Sequence, residues 1–243
     1  MTNELFFESI RFINGDYKKI KKEFYKKSCY MVVPAAPALK KIYCDKIYYK
    51  SLKESSFAIF DSGYFCLLLR ILKNIKVKKF SGLKFLREFF NDNDIKKESI
   101  FLINPSHHEA ILNKNYLNKL GIKKLSQYTA PNYKYKNIID KKLLSIIRIK
   151  KPRFIIVNLG GGKQEILANY LHNNLKHKYS IFCTGAAIAF LTGHQASIPD
   201  WLDKAYLGWF FRMLFRPSVY FSRYISAFSL INLVIKSKII MKR

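Results

Sequence analysis

Short apolar runs punctuate the chain at regular intervals, and amphipathic stretches fill the gaps between them. The runs are IRFI (10–13), YMVV (30–33), FAIF (57–60), IFLI (100–103), FIIV (154–157) and SIFC (180–183). Each is of strand length and rich in β-branched or aromatic residues, which predicts buried strands. In DYKKIKKEFYKK (16–27), Tyr17, Ile20, Phe24 and Tyr25 share one helical face and six lysines take the others. GLKFLREFF (82–90) and the stretch from Lys163 to Leu175 also have helical spacing. Strands alternating with helices predict an α/β fold: a mostly parallel, Rossmann-like sheet with helices on both faces. There is no internal repeat and no low-complexity linker.

The pattern changes near the C-terminus. From Trp201 onward aromatic and basic residues alternate, and Asp203 is the one acid. Phe221, Tyr224, Ile225, Phe228, Ile231 and Ile235 fall at helical spacing, opposite Ser222, Ser226, Ser229 and Asn232, and Lys236, Lys238, Lys242 and Arg243 follow. A helix from about Ser218 to Ile235, lying in a membrane interface with basic flanks, fits this pattern. A terminal helix packed on the core fits it too. The chain therefore divides into a catalytic domain over 1–195 and a basic, aromatic-rich, membrane-associating appendage over 196–243. A spanning helix is not expected. Tyr179 to Pro199 carries no formal charge, but its apolar part, Ile181 to Leu191, is interrupted by Thr184 and Gly185.

Composition adds a constraint on partners. Lys and Arg number 44 against 16 Asp and Glu, a formal charge of +28 over 243 residues. Such an excess favours an anionic partner: nucleic acid, anionic lipid or a phosphorylated substrate. The opening MTNELFFESIRF carries acids where a secretory signal needs bases. Cys29, Cys44, Cys66 and Cys183 form no C-x-x-C pair, which suits a reducing compartment. No metal site is expected, since His107 and His108 are adjacent and so face different ways on a helix.

In an open α/β sheet, ligands gather at the carboxyl ends of strands. Three stretches stand there: Pro34–Pro37, Asp61-Ser62-Gly63, and the glycine loop of VNLGGGKQEI (157–166). The loop is not a Walker motif, because Gln164 replaces the hydroxyl residue after Lys163, and it lacks the third glycine of a dinucleotide fingerprint. Glycines followed by a helix can still offer amides and a positive dipole end to an anion. A plain strand–helix turn explains the same residues. Asp61 stands out because acids are scarce, though capping of a helix starting near Tyr64 is its ordinary role.

Over most of its length, and most densely from 153 to 224, the chain resembles the WecG/TagA/CpsF bacterial glycosyltransferases. Gly160, Lys163, Gln164 and Glu165 match that family's LG-x-P-K-Q-E loop. Gly185, Ala186, Phe190, Gly193, Pro199, Trp201, Trp209, Arg212 and Pro217 match the ordered elements that follow it. Upstream, IFDSG resembles the family's A-D-G element and KKFSGLKFL its R-V-T-G-x-D-L element.

The resemblance implies an inverting transfer of a sugar, commonly N-acetylmannosamine-like, from a UDP-sugar donor to a polyprenyl-diphosphate-linked sugar acceptor. It implies no obligatory metal, no cofactor, and a peripheral position on the cytoplasmic face of the bacterial membrane. Asp61 becomes the catalytic base. Gly160, Gly161, Gly162, Lys163, Gln164, Lys79 and Arg212 become substrate-binding residues. Arg216 and Arg223 join Arg212 on physical grounds, since the three fall on one side of a helix continued through them. The family's T-x-N element reads Pro34-Ala35-Ala36 here, and Val219 and Ser222 replace two tail arginines. A catalytically altered, membrane- or partner-binding relative is the first alternative, and a nucleic-acid-binding protein the second, although the aromatics lie in apolar stripes and no nucleic-acid-binding signature is present. Nucleic acid is not an expected partner, and a homo-oligomer is compatible with the reading.

Overall fold

The computed structural model describes residues 4–135, 138–194 and 228–242. They build one nine-stranded sheet. Seven strands are mutually parallel: β2 (Ile10–Ile13), β3 (Cys29–Val32), β4 (Phe57–Ile59), β5 (Ile100–Asn104), β6 (Leu125–Thr129), β7 (Phe154–Val157) and β8 (Ser180–Cys183). With β1 (Glu4–Phe7) and β9 (Ile239–Lys242), the order is β6-β5-β7-β8-β3-β4-β2-β1-β9. β1 runs antiparallel to both of its neighbours.

All six apolar runs are strands, with bounds shifted by at most a residue. They read as continuous apolar segments because both faces are covered. On one face lie α3 (Lys46–Lys53), α4 (Gly63–Lys73), α8 (Lys141–Lys150), α9 (Lys163–Asn174) and α11 (Leu230–Lys236). On the other lie α1 (Tyr17–Lys26), α5 (Gly82–Asn91), α6 (Asn93–Lys96) and α7 (His107–Lys119), with α10 (Ala187–Leu191) beyond. α2 (Ala36–Leu39) and a 3-10 turn (Lys40–Tyr43) follow β3 on the first face.

The second face is held by packed phenylalanines. The Phe24 ring from α1 lies 5.2 Å from Phe182, 5.7 Å from Phe154 and 6.0 Å from Phe89, each edge to face. This arrangement suits aromatic quadrupoles and adds to the area buried. It explains the period of the lysine-rich helix: Tyr17, Ile20 and Phe24 face the sheet while the lysines face water.

Three strands had no clear signal in the sequence. β6 (LSQYT) is a half-exposed edge with polar residues. β1 joins β2 through a two-residue turn in which Glu8 and Ser9 both have left-handed backbones, with φ of 49° and 62°. Asn-Gly would mark such a turn in a sequence; Glu-Ser does not. Tertiary contacts hold it: Glu8 exchanges backbone and side-chain bonds with Lys238, and Tyr49 Oη donates to the Glu8 carbonyl at 2.9 Å.

The third unsignalled strand, β9, belongs to the stretch that the sequence assigns to an appendage. Residues 228–242 complete the sheet edge and pack α11 against α4. The Tyr64 and Phe228 rings meet at 6.0 Å, and Lys73 Nζ donates to the Ile235 carbonyl at 2.8 Å. α11 buries Leu230, Leu233 and Val234, whereas Phe228 and Ile235, from the expected interfacial stripe, stay more than half exposed. Helix is described over Leu230–Lys236 only; the rest of the expected Ser218–Ile235 helix, and the boundary near 195, lie outside the described residues. Among the described residues no helix is long and apolar enough to cross a membrane.

Candidate functional site

Asp61 stands one residue beyond Phe60 at the carboxyl end of β4. Its neighbour Ser62 caps α4 by accepting from the Phe65 amide at 3.2 Å. Asp61 therefore does not do the capping that the sequence allowed it. Its Oδ1 accepts from the Gly82 N–H at 2.9 Å, at the start of α5, which Ser81 caps. The SG turn matters for this contact: a Cβ on Gly82 would press to 3.1 Å from Val33. Lys79 and Asp61 both act on the buried Cys66 thiol. Burial pushes that thiol up to about 12, with Lys79 pulling it down and Asp61 pushing it up. The Phe80 N–H donates to the Phe60 carbonyl at 2.8 Å, so Lys79 and the family-implied base flank one corner, at the end of β4.

The glycine loop joins β7 to α9. Gly162 has φ of +93°, a backbone that side-chain-bearing residues rarely adopt. Its N–H is not on offer to a ligand, because Glu165 Oε2 takes it at 2.6 Å. Glu165 Oε1 accepts from Gln164 Nε2 at 2.9 Å, and Gln164 Oε1 accepts from the Gly185 N–H at 2.8 Å. Burial raises the Glu165 pKa, while the donors from Gln164 and Gly162 work against that rise. Both side chains are almost fully buried. Gln164 is thus a bolt between the glycine loop and the loop after β8, and does not face the solvent-open side of the site. Gly160 and Gly161 do: both are exposed, and a Cβ on either would meet nothing within 4 Å.

Beside the loop, over the ends of β5, β6 and β7, lies a cavity of about 510 Å³. Gly160, Gly161 and Lys163 form one wall, Pro131, Asn132, Tyr133 and Tyr135 another, and Lys41 closes it from the 3-10 turn. Tyr135 Oη donates to Asp45 Oδ2 at 2.6 Å, and its ring lies over Gly162, 2.7 Å from where a Cβ would stand. Tyr133 Oη donates to Asp140 Oδ2 at 2.7 Å. Burial first, then these carboxylates, raise both phenol pKa values. Lys163 Nζ donates to Asn132 Oδ1 at 3.1 Å.

On the opposite face of the same strand ends, Asn104, Asn158 and Thr184 stand abreast on β5, β7 and β8, one step past the paired Ile103, Val157 and Cys183. Asn104 Oδ1 accepts from Asn113 and Asn158 at 2.8 and 3.1 Å. Asn104 Nδ2, Asn158 Oδ1 and Thr184 Oγ1 are buried and have no hydrogen-bond partner among the described residues. Each such atom costs about 1–3 kcal/mol, so a water or polar ligand group has much to gain here.

The structure thus arrays the sequence-derived residues along one sheet edge. Gly160, Gly161, Lys163 and Gln164 lie at β7, and Asp61 and Lys79 at β4, three strand spacings away, or roughly 14 Å. Arg212, Arg216 and Arg223 lie outside the described residues. Sequence reasoning missed Lys41, Tyr133, Tyr135 and Asp45. They sit in loops and one short 3-10 turn without period or motif, and one signal was available: tyrosines interleaved with lysines in PNYKYK, one residue after β6.

A parallel Rossmann-like sheet with an acid and a glycine loop at its carboxyl edge is the architecture of an α/β enzyme that binds its ligand at the strand ends. Over residues 13–243 the chain matches the glycosyl transferase WecG/TagA/CpsF family, and it belongs to that family of glycosyltransferases. It is also similar to the N-acetylglucosaminyldiphosphoundecaprenol N-acetyl-beta-D-mannosaminyltransferase of Bacillus subtilis (strain 168), with 24% identity over 180 residues. That alignment covers 71% of this chain and 66% of the relative.

Proposed function

We propose that the chain moves an N-acetylmannosamine-like sugar from a UDP-sugar to a sugar carried on a polyprenyl diphosphate, with inversion at the anomeric carbon. The observation that carries this reading is the coincidence of family match and geometry. The chain matches the family from 13 to 243, and its glycine loop and Asp61 lie on one carboxyl edge of the sheet. The relative's name gives the same donor sugar and a lipid-diphosphate acceptor.

In this reading the acceptor hydroxyl oxygen attacks the anomeric carbon from the face opposite the leaving group. A new C–O bond forms as the bond to the UDP oxygen breaks, and Asp61 takes the hydroxyl proton. UDP leaves with the bonding electron pair. Exposed Gly160 and Gly161 let the diphosphate approach the backbone closely, and Lys163 with Lys79 supplies positive charge. Gln164 acts as a positioning residue, because its amide is spent on Gly185 and Glu165. Arg212, Arg216 and Arg223 are proposed to complete the diphosphate clamp from the C-terminal segment.

A peripheral site on the cytoplasmic face of the membrane belongs to the same proposal. Leu67 and Ile71 on α4, Ile235 on α11 and Phe228 just before α11 are exposed apolar side chains on two packed helices and the turn leading into the second. Arg70, Lys73, Lys236 and Lys238 surround them in sequence. Apolar groups ringed by bases suit an anionic lipid surface.

The test is a mass-spectrometric screen of UDP-sugars against a polyprenyl-diphosphate-linked N-acetylglucosamine, with and without anionic liposomes. Transfer from UDP-N-acetylmannosamine with inverted configuration is the expected result. UDP-sugar binding without transfer to any acceptor would replace this reading with that of a binding protein.

A further inference from the structure

The amino-terminal edge of the sheet, opposite the candidate site, carries a row of lysines. Leu125, Ile100, Phe154, Ser180 and Cys29 lie in register across β6, β5, β7, β8 and β3, so five strands start flush. Lys124, Lys97, Lys151, Lys178 and Lys27 stand one to three residues before those starts, in that order along the edge, and all five are exposed. Lys123, Lys150 and Lys176 double the row beside β6, β7 and β8. We propose that this edge is a second binding surface, for the phosphate backbone of a single nucleic-acid strand.

Positive charge is in excess here. α1, α7, α8 and α9 end at this edge, and bases complement the roughly half a negative charge at each helix C-terminus. Four helices thus offset about two of the eight lysines. Glu98 is the acid that adjoins the row in sequence, and Glu54, before β4, is engaged by Lys50 and Asn169. No ion pair among the described residues engages any of the eight. Lys151 is held in the row under strain. It closes α8 at φ of 44°, a left-handed backbone where glycine or asparagine is the ordinary residue. Strain of this kind gathers at positions that do something.

The geometry suits one partner. At about 4.8 Å per strand the row spans roughly 19 Å, and a nucleic-acid strand carries phosphates at comparable spacing, about 3.4 Å in a duplex and more when extended. Sheet twist of roughly 20–25° per strand makes the row a curved ridge, which a flexible single strand follows and a stiff duplex does not. Contacts to phosphates carry no sequence information, so the lack of a base-reading motif in the chain does not bear on them. A lipid surface suits this edge less. The exposed apolar groups assigned to it belong to α4, α11 and the turn before α11, and Ile149 is the exposed apolar side chain that adjoins the row. The candidate site lies at the far ends of strands of four or five residues, roughly 15 Å away, so both surfaces can be filled at once.

The experiment is fluorescence anisotropy on the full chain, with a labelled single-stranded oligonucleotide of mixed sequence titrated at several salt concentrations. Wild type should bind, and log Kobs should fall against log salt with a slope of roughly −3 to −4, as for about five neutralised phosphates. Lys97→Gln, Lys151→Gln and Lys178→Gln combined should weaken binding about tenfold or more and flatten the slope by roughly 2. Lys97→Arg, Lys151→Arg and Lys178→Arg combined keep the charge and should bind within about threefold of wild type. Lys46→Gln, Lys141→Gln and Lys142→Gln remove equal charge from helix starts at the opposite edge, and should leave binding within about twofold of wild type. Equal weakening by both glutamine triples would mean that net charge alone attracts the strand, and would overturn the proposal. A wild-type chain that binds no oligonucleotide at low salt would do the same. Cosedimentation with phosphatidylglycerol vesicles should not change in the Lys97, Lys151 and Lys178 glutamine triple. Loss of vesicle binding there, with oligonucleotide binding intact, would assign the edge to a lipid surface and overturn the nucleic-acid reading.

Discussion

Gln164 Oε1 accepts the Gly185 N–H at 2.8 Å, joining the first turn of α9 to the loop that follows β8. The other end of the same amide donates to Glu165, whose second oxygen holds the Gly162 N–H. Two loops of the candidate site are therefore tied through one buried side chain. Gln164→Ala leaves the Gly185 amide and a Glu165 oxygen without partners, at a cost of about 1–3 kcal/mol each. Thermal melts should show a loss of several degrees, and turnover should fall with it. An unchanged melting temperature would mean the bolt carries no strain.

Asp61→Asn tests the base. Asparagine keeps an oxygen to accept the Gly82 N–H, so the corner at α5 should stay folded. Turnover should drop by roughly two to four orders of magnitude, as for loss of a positioned base, while UDP affinity stays within a few-fold. Near-normal turnover would remove Asp61 from the proton transfer.

The glycines of the loop should separate into two kinds. A Cβ at Gly161 meets nothing, so Gly161→Ala should melt with wild type yet bind UDP more weakly, because the ligand's close approach is blocked. Gly162→Ala forces alanine into φ of +93° and its methyl into the Tyr135 ring. It should lose about 1–3 kcal/mol of stability. The pair distinguishes a contact glycine from a conformational one in a single set of melts and titrations.

Ser9→Gly should stabilise the fold. Ser9 sits at φ of 62° in the β1–β2 turn, where a side chain costs about 1–2 kcal/mol and glycine costs little. A gain of about 1 kcal/mol raises the melting temperature of a chain this size by roughly 2–4 °C. A fall instead would show that the Ser9 side chain makes a compensating bond.

Glu4 ties β1 to Arg11 on β2, and that hydrogen bond holds its carboxyl below the ordinary value of 4.5. A depressed folded pKa means the ionised form stabilises the fold above about pH 4.5, and the contribution fades as pH falls through the folded value. Melting curves of Glu4→Gln should therefore lie below wild type at pH 7 and converge with it in acid. A gap that widens in acid would reverse the assignment.

Much of the sheet was legible from the sequence because its strands are buried on both sides. Apolar runs of four or five residues, such as FIIV and SIFC, fit a strand covered on both faces and little else. Alternation with amphipathic helices then fixed their parallel sense. β1, β6 and β9 were not legible for a shared reason: each is exposed on one side or lies at an edge, so its residues carry mixed polarity. The left-handed turn between β1 and β2 is held by Lys238 and Tyr49, residues far away in sequence.

The same division holds at the site. The sequence by itself determined which residues stand at the carboxyl ends of β4 and β7, since strand ends follow from strand bounds. Asp61, Gly160, Gly161 and Lys163 could be named that way. Only the tertiary structure decided what each is free to do. Gln164 is a polar residue in a loop motif, yet it lies buried because Gly185 and Glu165 close on it from two other elements. Tyr135 lies 90 residues from Asp45 in the chain, and their hydrogen bond forms because β6 and β3 end at the same edge of one sheet. Hydrophobic period is a local property that a sequence displays directly. Which side chain spends its polar atoms on which neighbour depends on contacts between distant segments, and those exist only once the chain has folded.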